Sequence, residues 1–311
     1  MRRLKFSFTR SANRATAEVQ LGRTRVLAVV TASVVPPFPD RPNEGFLQLA
    51  VEFSSGANPT FEAGRPSDAA SEITRVLERT LKDARAIDTE ALCIMSGSKA
   101  WSVRVDVHVL DDAGNLIDAA SMATLAALLH FRKADVTITG TQVTVHEYDE
   151  KPPVPLSIHH SPVCLTFGLF SVPDASDDDG DVASAPAMPR AASASALAGE
   201  GTRQVLALDP SEAEEDVLED RLTFAVNAHG ELCMVHKVGG APLDQDDILR
   251  YAKVASARGV TLLAHLQSVL AQADAVEKKR AMKAHAAAAG YDDSGRLDGS
   301  GQVQASHAAA P

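Results

Sequence analysis

Arg75 and Arg79 stand four residues apart in a segment of helical periodicity, which puts two guanidinium groups on one face, one turn apart. Such a pair suits the clamping of successive phosphates of a nucleic-acid strand. It equally suits surface ion pairing, with Glu72 in reach of Arg75 and Glu78 of Lys82, and the spacing leaves both readings open. A second concentration of chemistry is the run Glu212-Ala213-Glu214-Glu215-Asp216, followed by Glu219-Asp220. Paired carboxylates at a strand edge can hold a divalent metal for phosphate chemistry, but a solvated acidic loop is the favoured reading. Asp177-Asp178-Asp179-Gly180-Asp181 lacks the alternating ligands and bidentate Glu of an EF-hand, and also reads as a solvated stretch. His159 and His160 are adjacent on an extended chain, so their rings point to opposite faces with no third ligand nearby. The Ser, His and Asp residues are too scattered for a triad, and there is no G-x-S-x-G elbow, P-loop or G-x-G-x-x-G. From residue types and spacing alone, no catalytic residue, metal-ligand set or cofactor site is identified.

The 311 residues carry 45% hydrophobic and 23% charged residues, an ordinary globular balance with room for a sizeable core. A formal net charge of −11 removes any whole-molecule attraction to nucleic acid, so any nucleic-acid binding would need a local basic patch. No apolar run approaches the roughly 20 residues that span a bilayer, so no membrane partner is expected. Met1-Arg2-Arg3-Leu4-Lys5-Phe6 is basic without a following apolar stretch, unlike a secretory signal. Cys93, Cys164 and Cys233 are odd in number and far apart, which suggests buried reduced thiols in an intracellular protein.

The elements that must position these groups can be traced in order. Ala17, Val19 and Leu21 alternate with polar residues, Gly22-Arg23 offers a turn, and Val26 to Val30 continues as a strand. After the break at Pro36, Pro37 and Pro39, Leu47, Leu49, Val51 and Phe53 form a strand with one covered face. Ser67 is a plausible N-cap for an amphipathic helix with Ile73, Val76, Leu77 and Ala84 on one face and Glu72, Arg75, Arg79 and Lys82 on another. A long strand carries Trp101, Val103, Val105, Val107 and Val109 on one side, and a nearly all-apolar helix from about Ala119 to Phe131 follows, buried between layers. Short strands come next, including Val163 to Phe170. Residues 171–202 are Ala/Ser/Pro/Asp-rich and read as a disordered acidic insertion. A hairpin around Asn227-Ala228-His229-Gly230 and a helical region from about Gln245 to Val276, interrupted at Gly259, complete a domain of residues 1–276, with 277–311 as a flexible tail. The order implies an α+β fold of mainly antiparallel sheets with packed helices.

The segment Ile87-Asp88-Thr89-Glu90-Ala91-Leu92-Cys93-Ile94, with Trp101 to Leu110, resembles the RNase PH family. Gly114 to Ser121, Val154 to Pro162 and Leu208 to Glu212 narrow the resemblance to the non-phosphorolytic ring subunits of the exosome. It covers about Gly22 to Leu270 apart from the insertion. The resemblance implies a ribosomal protein S5 domain 2-like fold and a six-membered ring of RNase PH-like subunits. It also implies S1/KH cap subunits, an associated hydrolytic nuclease, and single-stranded RNA threading the ring. The implied work is 3′-end maturation of ribosomal and other stable RNAs and RNA decay, in nucleus, nucleolus and cytoplasm. Compared with the family, the segment ahead of the first strand is missing or shortened, so the resemblance does not carry over the contacts that segment makes to a cap subunit.

The departures from the family are as informative as the matches. Active relatives carry Gly-Thr-Arg after the long strand, whose Arg and hydroxyl bind inorganic phosphate; here Leu116 and Ile117 take those places. Two Asp residues six apart in active members align with Glu215 and Arg221. The resemblance thus implies a chain that does not catalyse phosphorolysis, with an active phosphorolytic 3′–5′ exoribonuclease as the alternative. Arg75 and Arg79 match the Arg-x-x-x-Arg spacing with which ring subunits hold RNA.

Overall fold

The computed structural model describes residues 2–288 apart from 55, 59, 60, 62–66, 141, 148, 149, 174–201, 219, 241, 242 and 244. Strands β1 (Leu4–Ser11), β2 (Arg14–Leu21), β3 (Thr24–Val35) and β4 (Phe46–Phe53) precede α1 (Asp68–Glu78). Strands β5 (Cys93–Met95) and β6 (Lys99–Asp111) lead into α2 (Leu116–His130). Four short strands follow: β7 (Arg132–Lys133), β8 (Val136–Thr139), β9 (Gln142–Val145) and β10 (Val154–Pro155). The remainder is β11 (Val163–Pro173), β12 (Thr202–Leu208), α3 (Glu212–Glu215), β13 (Asp220–Val226), β14 (Leu232–Val238) and α4 (Gln245–Ala288). Two compact units result, Met1–His265 and Leu266–Pro311; within the second, the described residues continue α4.

The first sheet runs β1-β2-β3-β6-β4, with β5 against β6, and only the β4–β6 pair is parallel. Its strands form because their apolar residues alternate: Ala15, Ala17, Val19 and Leu21 of β2 and Val103, Val105, Val107 and Val109 of β6 are buried, while Arg104 is exposed. The second sheet, β12-β11-β13-β14, is antiparallel throughout and packs Leu165, Phe167, Phe224 and Val226 against Ala252 and Ala255 of α4. Helix α2 lies between the sheets, packed on β2 and β3 and on β11, and nearly every one of its side chains is buried. An apolar periphery of this kind is stable only with a layer on each side.

Five expectations need correction. Leu4–Ser11 is a strand absent from the elements expected above, although Leu4, Phe6 and Phe8 alternate with Lys5, Ser7 and Thr9; the three apolar side chains are half-buried and the polar ones exposed. Helix α2 starts at Leu116, not near Ala119, since left-handed Asn115 (φ 55°) starts the turn directly. Helix α4 passes through Gly259 uninterrupted and runs on to Ala288; a Cβ at Gly259 would meet Val226 at 3.1 Å, so glycine there permits close helix–sheet approach. Cys164 is buried, but Cys93 and Cys233 are only half-buried; all three are free. Of the expected insertion, Ser171–Pro173 and Thr202 are strand residues, paired as Pro173↔Thr202, and 174–201 lie outside the described residues. No helix among the described residues is long and apolar enough to cross a membrane.

Candidate nucleic-acid interface

Helix α1 is fixed at its start by Ser67, whose Oγ accepts from the Ala70 N–H at 3.1 Å. Ala70, Ile73, Val76 and Leu77 are buried, which leaves Arg75 and Arg79 exposed on the other face. The Arg79 N–H donates to the Arg75 carbonyl, so the two side chains sit on consecutive turns. Among the described residues neither is paired with a carboxylate. Glu72 does not reach for Arg75; its oxygens lie 3.9 Å from Arg221 Nη2 and 3.9 Å from His236 Nε2. Burial holds His236 below the usual imidazole range, with the Glu72 charge opposing and Arg79 and Arg221 reinforcing that shift.

After Glu78 the helix widens into a π turn over Arg79–Asp83, in which Ala84 N–H donates to Arg79 O at 3.2 Å and Ala86 N–H to Leu81 O at 3.0 Å. Thr80 is buried beneath it, donating to Val76 O at 2.7 Å. Arg85 then turns the chain in a left-handed conformation, φ 52°.

The N-terminal half of α1 lines a cleft of about 460 Å³, where Leu116, Ile117, Glu215 and Arg221 come together. The run expected as a solvated loop is a one-turn helix, α3, closed by a capping box between Ser211 and Glu214. That turn aims Glu215 inward: its Oε1 accepts the Asn115 N–H at 3.0 Å, at the start of α2. Burial raises the Glu215 pKa, against the pull of the Asn115 N–H and of Arg221. Among the described residues no three His, Cys, Asp or Glu side chains form a metal-ligand set. His159 Nε2 lies 3.8 Å from Asp88 Oδ2, and the acidic run 177–181 lies outside the described residues.

Behind the cleft lies a polar network that the sequence reading missed. Asp118, fully buried in α2, accepts from Asn115 Nδ2 (2.9 Å), Thr166 N–H (3.0 Å) and Thr166 Oγ1 (2.8 Å). Asn115 Nδ2 also donates to Asp209 Oδ1 at 2.9 Å, and Arg2 Nη2 meets that oxygen at 2.7 Å. Burial pushes Asp118 up to about 7, against the hydrogen bonds it accepts from Asn115 and Thr166. The available signal was a lone carboxylate in an otherwise apolar helix.

Residues 1–134 match domain 1, and residues 187–258 domain 2, of the RNase PH 3′ exoribonuclease family. The chain is 41% identical over 245 residues to exosome complex component RRP45B of Arabidopsis thaliana, covering 78% of this chain and 49% of that protein. It is 40% identical over 261 residues to RRP45 of Bos taurus (84% and 52%) and 36% identical over 253 residues to rrp45 of Schizosaccharomyces pombe (81% and 77%). It therefore spans about half the length of the plant and bovine relatives. Its α+β fold is similar to a chain of an Archaeoglobus fulgidus exosome with RNA bound to the active site, at TM-score 0.64 and 26% identity over 85% of this chain and 88% of that one.

Proposed function

The chain belongs to the RNase PH 3′ exoribonuclease family, and from that premise we propose that it is a non-catalytic ring subunit of an RNA exosome that guides single-stranded RNA. The observation that carries the catalytic half of this reading is the cleft at the start of α2. Phosphorolysis needs an inorganic phosphate held for attack by hydrogen-bond donors. The side chains of Leu116 and Ile117 supply none. Glu215 stands beside the start of α2, where its carboxylate accepts the Asn115 N–H at 3.0 Å and would repel a second anion. Arg221, where active relatives carry a carboxylate, opposes metal binding and acid catalysis.

The RNA-guiding half rests on Arg75 and Arg79, exposed on consecutive turns above a buried apolar face. They are assigned to the phosphates of a threading strand. The RRP45 relatives support other RNase PH-like ring subunits as partners, with S1/KH caps and an associated hydrolytic nuclease completing the assembly. The work so assigned is 3′–5′ RNA processing, ribosomal RNA 3′ ends included, and RNA degradation in nucleus, nucleolus and cytoplasm. The test is a reconstituted ring given labelled RNA and inorganic phosphate. No release of nucleoside diphosphate should depend on this chain. Phosphate-dependent release that Glu215→Gln or Arg221→Ala abolishes would refute the non-catalytic reading.

A further inference from the structure

The segment from Asp68 to Arg85 lies between two clefts of opposite character. Its first half borders the 460 Å³ cleft, where Glu72, Asp112, Glu212, Glu215 and Asp216 face the single guanidinium of Arg221. Its far end, Lys82 and Arg85, borders a larger cleft of about 830 Å³, beneath Phe38 and beside Arg41 and His159. Carboxylates in that second cleft are largely engaged. Glu44 lies 3.4 Å from Arg41, while Asp88 accepts the N–H groups of Glu90 (3.0 Å) and Ala91 (3.2 Å) and lies 3.8 Å from His159. Glu90 is the exposed acid that remains. Lys82 and Arg85 are exposed and pair with no carboxylate among the described residues.

We propose that RNA lying on Arg75 and Arg79 continues along Lys82 and Arg85 into the cleft beneath Phe38, and that Phe38 stacks on one of its bases. This path rests on the RNA-guiding reading of the two arginines. Electrostatics chooses the direction: a phosphodiester chain is repelled from five carboxylates and drawn to two unpaired cations. Geometry provides the track, because Arg75 and Arg79 sit on consecutive turns of α1 and the π turn over Arg79–Asp83 carries the chain directly on to Lys82 and Arg85. Its end is rigidly built. Arg85 N–H donates to Lys82 O at 3.0 Å and Ala86 N–H to Leu81 O at 3.0 Å, which hold Arg85 in a conformation that costs a non-glycine residue energy. Phe38 is the stacking platform. It is 64% exposed, sits among Pro36, Pro37 and Pro39, and rests edge-on against Phe46 with centroids 4.7 Å apart. An exposed ring on a stiff loop beside cations is the arrangement that holds single-stranded nucleic acid without reading its sequence.

The experiment uses the assembled ring and a labelled oligouridylate, with the photoreactive p-benzoylphenylalanine in place of Phe38 or, as the comparison, of Leu116 in the acidic cleft. A crosslink to RNA is expected from position 38 and none from position 116. The substitutions Lys82→Ala and Arg85→Ala together should weaken binding and reduce the salt slope by about 1.4, and Phe38→Ala should weaken it about fivefold or more. A probe at 38 that captures only another subunit's polypeptide, or RNA crosslinked at 116 instead, overturns the path. So does unchanged affinity in the Lys82/Arg85 pair. If Arg75→Ala with Arg79→Ala weakens binding while these arms stay silent, the path fails and the RNA-guiding reading stands. If that arginine pair has no effect either, the RNA-guiding reading fails as well.

Discussion

Replacing Asp118 by asparagine should change how stability depends on pH without dismantling the network that joins α2 to β11. The carboxylate accepts three hydrogen bonds, from Asn115 Nδ2, Thr166 N–H and Thr166 Oγ1, and none of its surface reaches water. Burial raises its pKa from 3.8 to about 7. A raised acid keeps its proton in the folded chain while the unfolded chain releases it. The stability that this group contributes is therefore full below pH 3.8, falls as pH rises, and is lost above about 7. The gap is about three units, so at 1.36 kcal/mol per unit the ceiling is about 4 kcal/mol. The carboxamide of Asp118→Asn can accept from Asn115 and Thr166 N–H through its oxygen. Its amino group can donate to Thr166 Oγ1, which passes a hydrogen bond to Thr223 Oγ1, 2.9 Å away. The assay is the difference in melting temperature between wild type and Asp118→Asn from pH 4 to pH 8, in which unaffected groups cancel. Wild type should lose ground steadily between pH 4 and 7, by several degrees at about 2–4 °C per kcal/mol, and then level off. A difference that is flat across that range, or that grows in wild type's favour, would refute the assignment. Asp118→Ala, which orphans three donors, should destabilise at every pH by about 3 kcal/mol or more.

Arg2→Ala leaves the Asp209 carboxylate buried without its cation and also removes hydrogen bonds to Ala113 O and Gly114 O; a loss of about 3 kcal/mol is expected by urea denaturation. Ile117→Arg introduces a donor at the start of α2 but leaves Glu215 and Arg221 in place, so a ring carrying it should release no nucleoside diphosphate from RNA and phosphate. Because Pro173 and Thr202 already face each other across β11 and β12, replacing residues 174–201 with a two-residue turn should preserve the fold and raise stability by about 2 kcal/mol, read from the denaturation midpoint.

What the sequence made legible was whatever is written in local periodicity. The alternation along β6, the Ser67 cap and the all-apolar stretch of α2 each follow from neighbouring residues, and the structure bears them out. The exposed pairing of Arg75 with Glu72 did not form, because Glu72 is turned toward Arg221 and His236, which lie far along the chain. The role of Glu215 was hidden for the same reason: the N–H that it holds belongs to Asn115, 100 residues away. Asp118 was passed over inside an apolar helix, although a lone buried carboxylate must find partners. Gly259 misled because local propensity treats glycine as a helix breaker, whereas here the missing side chain lets α4 sit close to Val226. The family resemblance brought Leu116, Ile117, Glu215 and Arg221 into one site, and the cleft unites them.

The central claim is that this chain holds RNA by phosphates through Arg75 and Arg79. Its most direct test is a salt titration of single-stranded RNA binding by a reconstituted ring carrying Arg75→Ala and Arg79→Ala. Folding should be untouched, since exposed helix charges contribute only a few tenths of a kcal/mol and Ile73, Val76 and Leu77 keep their burial. Affinity should fall, the slope of log affinity against log salt should flatten by about 1.4, and the loss should be similar for RNAs of different sequence. An affinity and slope equal to those of the wild-type ring would contradict the account.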